Sequence, residues 1–332
     1  HIGTAFARIV AEELEADWAD VQVNHVDTEA KYGAFVTGGS WSVWQNFDLM
    51  SRAGAAGRTA LVAEGARLLG VAASDCSAAN SQVICRGKSI SYGDIVRTGN
   101  LSRTYTDAQL ASLPIKAAKD RKLIGSETQA LDIPSKTNGA AIYGIDATFE
   151  GMVYAKPIVP PTRYGSWVKS VDDSRAKNVK GYQQTLVLRD PSNTVPGWAL
   201  VIADSFHAAQ RAERLITVEW DAGATARVTE QDILNRGAEL IEGSSGSLVV
   251  EDGEVDATFA AANSVLSQSY TTSTVLHFQL EPVNAIGLQK DGRWELHTGN
   301  QWQSLILPTL AEALEVPVEK VVMRTYLLGG GF

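Results

Sequence analysis

Within the first seventy residues the apolar period changes twice, and that switch limits the fold more than any other feature of the chain. Residues 5–18 (AFARIVAEELEADW) carry Phe6, Ile9, Val10, Leu14 and Trp18 near helical spacing. VQVNHV at 21–26 alternates with the period of a strand. After Thr37-Gly38-Gly39-Ser40, an Ala-rich run from about Trp44 to Leu69 reads as a second helix, with Gly70 as its C-cap. Helix, strand and helix in this order predict a layered α+β fold.

Further along, SQVIC and KSISY alternate, and Asn80-Ser81 is a two-residue hairpin turn. That turn sets Cys76 directly opposite Cys85, where β-carbons are close enough for a disulfide. The expectation is two half-buried thiols, unless the protein is exported, which would favour the bridge. Residues 98–130, with the charged run KAAKDRK at 116–122, read as a surface connection. From Ile133 to about Gly223, the segments 140–146, 152–159, 185–189 and 198–204 are strand-like. Residues 205–216 form a helix there, and ITVEWDAG returns as a strand, giving a second α+β unit. Beyond it the sequence predicts a helix near 229–241, strands at 264–271, 284–289, 293–298 and 321–328, and a helix at about 303–315.

The chain has 332 residues, enough for two or three domains. It has no run of about 18 apolar residues of the kind that spans a bilayer. A net charge of −9 with no basic stripe argues against nucleic acid. Cys76 and Cys85 are the only cysteines, and the five histidines show no ligand spacing, so neither a zinc nor an iron–sulfur site is expected within this chain. No GxSxG, Walker loop or HExxH occurs, and no metal ligand or catalytic base is assigned.

Three patterns carry what chemistry there is. The strand VVMRTYLL runs into Gly329-Gly330-Gly331-Phe332. Glycines let a backbone approach a ligand closely, and successive free amides form an anion site. Such a loop is expected to continue beyond Phe332. Gln301, just after the strand WELHTG, offers a donor and an acceptor to a ligand, or simply begins a helix. HFQLEPVNAI places Glu281 among apolar residues beside Pro282 and Asn284, as a buried acid or as the cap of a turn; the residues favour the structural role.

In this order and spacing the patterns resemble the molybdenum-binding subunit of the xanthine dehydrogenase and aldehyde oxidase family, and most of all the isoquinoline 1-oxidoreductase β-subunit branch. Nearly the whole chain takes part. Residues 132–223 resemble that family's α/β hammerhead domain. HFQLEPVNAI, Trp294, the GNQ at 299–301 and YLLGGGF resemble the start of its molybdopterin domain. HIGT, AEELEADW and TGGSWS stand at the front, as in that branch, and His1-Ile2-Gly3-Thr4 looks like the tail of a Gly-Gln-Gly loop.

The resemblance implies an α/β hammerhead domain with parts of the molybdopterin-binding domains. These are divided as an N-terminal molybdopterin-binding segment (1–75), a hairpin and connection (76–131), the hammerhead (132–225) and a first molybdopterin-binding domain (226–332). It implies that Gln301, Gly330, Gly331 and Phe332 lie against the molybdenum's oxo ligand, and that Gly38, Gly39, Ser40 and Thr4 approach the pterin or its dinucleotide tail. The cofactor would be molybdopterin cytosine dinucleotide with molybdenum. A small partner subunit would hold a [2Fe–2S] cluster, a continuation polypeptide would carry the rest of the site with the catalytic Glu, and a leader would take the protein to the periplasm. The implied reaction is hydroxylation of an aldehyde or N-heteroaromatic with water as oxygen source. A non-catalytic scaffold that only binds a partner polypeptide is the alternative, and a periplasmic ligand-binding protein a third.

Overall fold

A computed structural model describes residues 2–162, 165–188, 191, 197–243, 246–273, 275 and 277–331. The chain divides into two compact units, one made of His1–Ala147, Gln279–Pro308 and Pro317–Gly331, the other chiefly of Thr148–Phe278. These boundaries fall elsewhere than the expected segments. Residues 132–147 join the first unit rather than a hammerhead, and 226–278 group with the strands that precede them.

The first unit begins with α1 (Ile2–Leu14) packed against α2 (Ser42–Leu69). Their contact is backbone-close at Gly54, where a β-carbon would sit 2.5 Å from the Val10 carbonyl oxygen and 2.8 Å from Glu13 Cβ. A helix-interior glycine forgoes about 1 kcal/mol of propensity relative to alanine, and here it lets the two helices touch. Gly70 closes α2 in the left-handed region at φ 70°, as the sequence predicts.

A meander of β1 (Cys76–Ala79), β2 (Gln82–Cys85) and β3 (Lys88–Ser91) then covers α2. Asn80 and Ser81 both take positive φ, the signature of the tight hairpin turn, and Cys76 faces Cys85 in register. The two cysteines are joined in a disulfide, contrary to the expectation of free thiols. Cys85 is fully buried with Leu61, Val83 and Ile95, the last on α3 (Tyr92–Thr98). Short helices α4 (Asp107–Ser112) and α5 (Ile133–Thr137) follow.

The run 113–124 is not a loose surface connection. It winds around two carboxylates on α1 that are almost wholly buried, Glu12 and Glu13. Glu12 accepts the backbone amides of Lys122 (2.8 Å), Leu123 (2.6 Å) and Ile124 (3.0 Å), and the Lys116 ammonium (2.7 Å). Glu13 accepts the Lys116 amide at 2.8 Å and meets the Arg58 guanidinium, which also donates to the Glu13 and Pro114 carbonyls. Charge in this segment marks a buried partner rather than solvent, and that partner lies more than a hundred residues away.

In the second unit, β4 (Tyr154–Ile158), β7 (Ala199–Ala203) and β6 (Tyr182–Val187) form one antiparallel sheet in that order, and β5 (Trp167–Asp172) pairs with β8 (Thr217–Asp221). Ala208, Ala209 and Ala212 of α6 (Phe206–Glu213) pack in its core, α6 being capped by Ser205. The strand expected at 185–189 ends at Val187, and Arg189 lies outside the described residues. Two further helices, α7 (Glu230–Glu242) and α8 (Val255–Ala261), bury no residue. The strand expected at 264–271 is extended but joins no ladder.

Back in the first unit, β9 (Ile286–Lys290), β10 (Arg293–Thr298) and β11 (Val321–Thr325) form a sheet of order β11-β10-β9. β10 and β11 are parallel and are linked through α9 (Gln303–Ala313). The expected strand at 21–26 is not a strand, because its end meets β11 through side chains. Thr28 Oγ1 accepts the Met323 amide at 2.9 Å, Asp27 accepts the Thr325 amide at 2.8 Å, and the Thr325 hydroxyl donates to the Val26 carbonyl at 2.8 Å. The expected strand at 140–146 contributes only a single parallel bridge, Tyr143 to Leu327, before a turn at Gly144–Asp146.

Burial works to raise the Glu12 carboxyl, but the bonds from Lys116 and the three amides outweigh it and hold its pKa below the ordinary value of 4.5. The bonded, ionised form therefore stabilises the fold above pH 4.5, and that contribution is lost as pH falls through the lower, folded-state value. Glu12→Gln is expected to cost about 3 kcal/mol at neutral pH, as breaking one side of a buried pair does. It should also flatten the acid side of the stability curve. Urea titrations at pH 7 and pH 4 check this, and an unchanged midpoint at pH 7 would refute the role of Glu12.

Candidate functional site

Parallel strands bind ligands beyond their carboxyl ends, where the chain leaves the sheet and adjoining loops open a crevice. β10 and β11 run in register, Trp294 beside Val321 and Thr298 beside Thr325, so Gly299–Gln301 and Tyr326–Gly331 leave the sheet at the same end. The two exits touch. A β-carbon on Gly299 would lie 2.7 Å from the Leu327 carbonyl oxygen, and one on Gly331 would collide with the carboxamide of Gln301. Gly331 is thus the residue that allows the Gln301 side chain and the glycine-loop backbone to share one place. Gly330 takes φ 112°, a region open to glycine.

The segment 35–40 lies along the same exit. The Thr37 amide donates to the Gln301 carbonyl at 2.7 Å, the Phe35 amide to Ser304 Oγ at 2.7 Å, and the Ser304 amide to the Phe35 carbonyl at 3.3 Å. Gly38 has open space where a side chain would stand, while Gly39 and Ser40 both take positive φ. The structure therefore brings Gln301, Gly331 and the backbone that carries Gly38, Gly39 and Ser40 together. It does not bring Thr4 to them through its hydroxyl: Thr4 is buried at the start of α1, and its Oγ1 accepts the Leu131 amide at 3.0 Å. Phe332 lies outside the described residues.

Glu281 fixes the glycine loop. One carboxylate oxygen accepts the Gly329 amide at 2.7 Å, and the other accepts the Ile145 amide at 3.0 Å and the Asn284 carboxamide at 2.9 Å. The Gly329 carbonyl in turn accepts the amides of Leu280 and Glu281. Glu281 is spent on turns, the structural role its sequence context favours, and Gly329 has no room for a β-carbon against it.

Beneath the loop lies a charged layer that sequence reasoning missed. Arg324 of β11 pairs with Asp27 at 2.8 Å and with Glu295 of β10. His297 is buried next to Glu295, with Nδ1 3.0 Å from the Tyr326 hydroxyl. Burial pushes the His297 pKa down, against the pull of Glu295. Alternation along WELHTG was the available signal, since Glu295, His297 and Gly299 share one face of β10.

As a donor set the site is uncharged and made of amides: glycine backbone, the Gln301 carboxamide and the 37–40 turn. No cluster of His, Cys, Asp or Glu suited to a metal occurs among the described residues. Such a lining fits an oxygen-rich or anionic group that brings its own metal ligands, and it offers no direct bond to a bare ion.

Two family models match the chain, each described as a molybdopterin cofactor-binding domain, over residues 2–129 and 241–332. The membrane-bound aldehyde dehydrogenase [pyrroloquinoline-quinone] of Gluconacetobacter polyoxogenes is 56% identical over 334 residues, a match that takes in 100% of this chain and 43% of that protein. The beta chain of isoquinoline 1-oxidoreductase from Brevundimonas diminuta is 28% identical across 99% of this chain and 47% of its own length. A nicotinate dehydrogenase subunit of Pseudomonas putida is 27% identical, with 93% and 26% covered. The chain thus spans less than half the length of these relatives. Among solved structures, the aldehyde oxidoreductase of Desulfovibrio gigas aligns over 61% of this chain and 26% of its own with a TM-score of 0.46 and 18% identity.

Glu281→Gln retains one acceptor and loses the other, which frees the Gly329 amide. That amide is expected to exchange with solvent at least about tenfold faster, and the fold to lose about 1.5–3 kcal/mol, the range for hydrogen bonds to a charged group. Residue-resolved amide exchange by NMR measures this directly; undiminished protection at Gly329 would show that Glu281 does not hold the loop.

Proposed function

The chain belongs to the molybdopterin-binding family of the xanthine and aldehyde dehydrogenases, and on that premise we propose that it is part of a molybdenum hydroxylase that oxidises an aldehyde. The observation that carries this reading is the meeting of Gln301 with the Gly331 backbone at the carboxyl end of two parallel strands, with the 37–40 turn bonded to the same Gln301. An aldehyde is favoured over an N-heteroaromatic by the name of the 56%-identical relative. The isoquinoline and nicotinate relatives keep the heteroaromatic as the second reading.

When bound, the cofactor, molybdopterin cytosine dinucleotide in this proposal, supplies the two-electron oxidation of the substrate carbon, with water as the oxygen source. The chain's own contribution is positional. Gln301 presents a carboxamide that donates from nitrogen and accepts at oxygen. Gly330, Gly331 and Phe332 would present backbone amides to an oxo group, pre-aimed because Glu281 holds the loop at Gly329 before any ligand arrives. Gly38, Gly39 and Ser40 would line the pterin or its nucleotide tail, and Thr4, through the fold of α1, would support that wall.

No catalytic base is assigned to this chain; it would come with a continuation polypeptide that supplies the rest of the site. Both cysteines are committed to the disulfide, so a [2Fe–2S] cluster that receives the electrons would lie on a separate polypeptide. The disulfide also supports a periplasmic setting, since such bonds persist in oxidising compartments. No helix among the described residues is long and apolar enough to cross a membrane.

Metal and quinone analysis of the intact assembly tests the cofactor. Molybdenum at about one atom per complex is expected; a quinone without molybdenum would replace this reading with the one in the name of the Gluconacetobacter relative, and neither would leave the scaffold alternative. In the assembly, Gln301→Ala should lower kcat by about 10- to 100-fold, the scale of losing one transition-state donor, with a smaller change in substrate binding and molybdenum content retained. Unchanged turnover would remove Gln301 from the site. Alkylation of the protein in whole cells checks the compartment: Cys76 and Cys85 should resist label until reduction, and immediate labelling of both would count against export.

A further inference from the structure

From Ala224 to Phe278 the chain makes secondary structure without making an interior: every described residue is exposed except the half-buried Gly237. Poor helix formation is not the cause. α7 starts with a reciprocal cap, in which Thr229 Oγ1 accepts the Asp232 amide and the Asp232 carboxylate accepts the Thr229 amide at 2.8 Å. It is amphipathic, with Ile233, Leu234, Leu240 and Ile241 on one face and Gln231, Asp232, Asn235 and Glu239 on the other. That apolar face has nothing on it; Ile241 is 86% exposed. Val255 and Phe259 of α8 and the returning Val265 and Leu266 line an open apolar cleft. Residues 264–270, patterned as a strand, lie extended with unpaired backbone, Leu266 at 85% and Tyr270 at 89% exposure.

Charge narrows what covers this surface. No Asp, Glu, Lys or Arg occurs between Asp256 and Glu281. A stretch meant for water, for nucleic acid or for a charged surface would carry such residues, whereas depletion of charge marks the centre of a protein interface. An exposed, uncharged, strand-patterned segment would otherwise pair with any edge it met. Residues 241–332 match a cofactor-binding domain model, and more than half of the length of each relative lies outside the region that this chain matches.

We propose that residues 228–278 are one half of a hydrophobic core, and that the other half is a polypeptide equivalent to the remaining length of those relatives. It would seat an apolar face on α7 and in the α8 cleft, and add a strand alongside 264–270 through backbone hydrogen bonds. This rests on the reading of the chain as one part of a larger enzyme, and it is independent of which cofactor that enzyme holds.

The test co-expresses the chain with the portion of the Gluconacetobacter polyoxogenes relative outside the matched 334 residues, and follows amide exchange by mass spectrometry. Amides of 264–270 should exchange at least 100-fold more slowly in the complex than in the chain alone. Leu266→Lys combined with Tyr270→Lys should weaken association at least tenfold and leave the thermal unfolding of the isolated chain unchanged, because both side chains stand in solvent there. Absence of association, equal affinity of the variant, or a complex in which 264–270 still exchanges freely would overturn the proposal. So would an isolated chain that is dimeric with 264–270 protected, which assigns the surface to a second copy. Protection without molybdenum would sink the cofactor reading and leave this surface standing; molybdenum without protection would do the reverse.

Discussion

The carboxylate of Glu281 is the interaction on which the candidate site depends. Three segments that never meet in sequence, around Gly144, around Asn284 and around Gly329, are bonded to its two oxygens. A glycine-rich loop has little of its own to hold it, since glycine loses more freedom on ordering than any other residue. Here the loop is ordered by a charged acceptor from outside it, and that acceptor bonds at Gly329 while Gln301 meets the loop at Gly331. Rigidity and access are thus provided by different residues, which is what an amide-lined binding place requires.

The same device recurs where no ligand is in question. Glu12 and Glu13 are among the most buried side chains of α1, yet each is fully engaged. An acid so placed, without partners, would destabilise a fold severely. With three consecutive amides and an ammonium around it, Glu12 instead fixes the path of a long irregular segment. Both carboxylates, Glu12 and Glu281, do for loops what backbone ladders do for strands: they satisfy buried amides that have no ladder to join.

Local pattern was enough for the elements whose partners are near in sequence. α2 with its Gly70 cap, the Asn80-Ser81 turn, the register that opposes Cys76 to Cys85, and the strands β9, β10 and β11 all follow from period and punctuation. It failed where the partner is distant or of an unexpected kind. Residues 21–26 alternate like a strand, but Asp27 and Thr28 bond to β11 with their side chains. Residues 116–122 look solvated because their counter-charges sit on α1 and just beyond its end. Residues 264–271 have the right alternation and no ladder. At the site, the juxtaposition of Gln301 with Gly331 rests on the parallel pairing of β10 and β11, which spacing along one chain does not specify. The role of Glu281 was legible as structural, though not its three partners.

The staple of Val26, Asp27 and Thr28 along β11 has a wider consequence. A sheet with two bare margins can be lengthened from either one, by a correct neighbour or by a wrong one. On the β11 side those three residues already occupy the positions at Met323 and Thr325 that an incoming strand would need. Growth of this sheet is therefore one-sided: any additional strand enters beside β9, and the margin next to the glycine loop stays closed to accidental polymerisation.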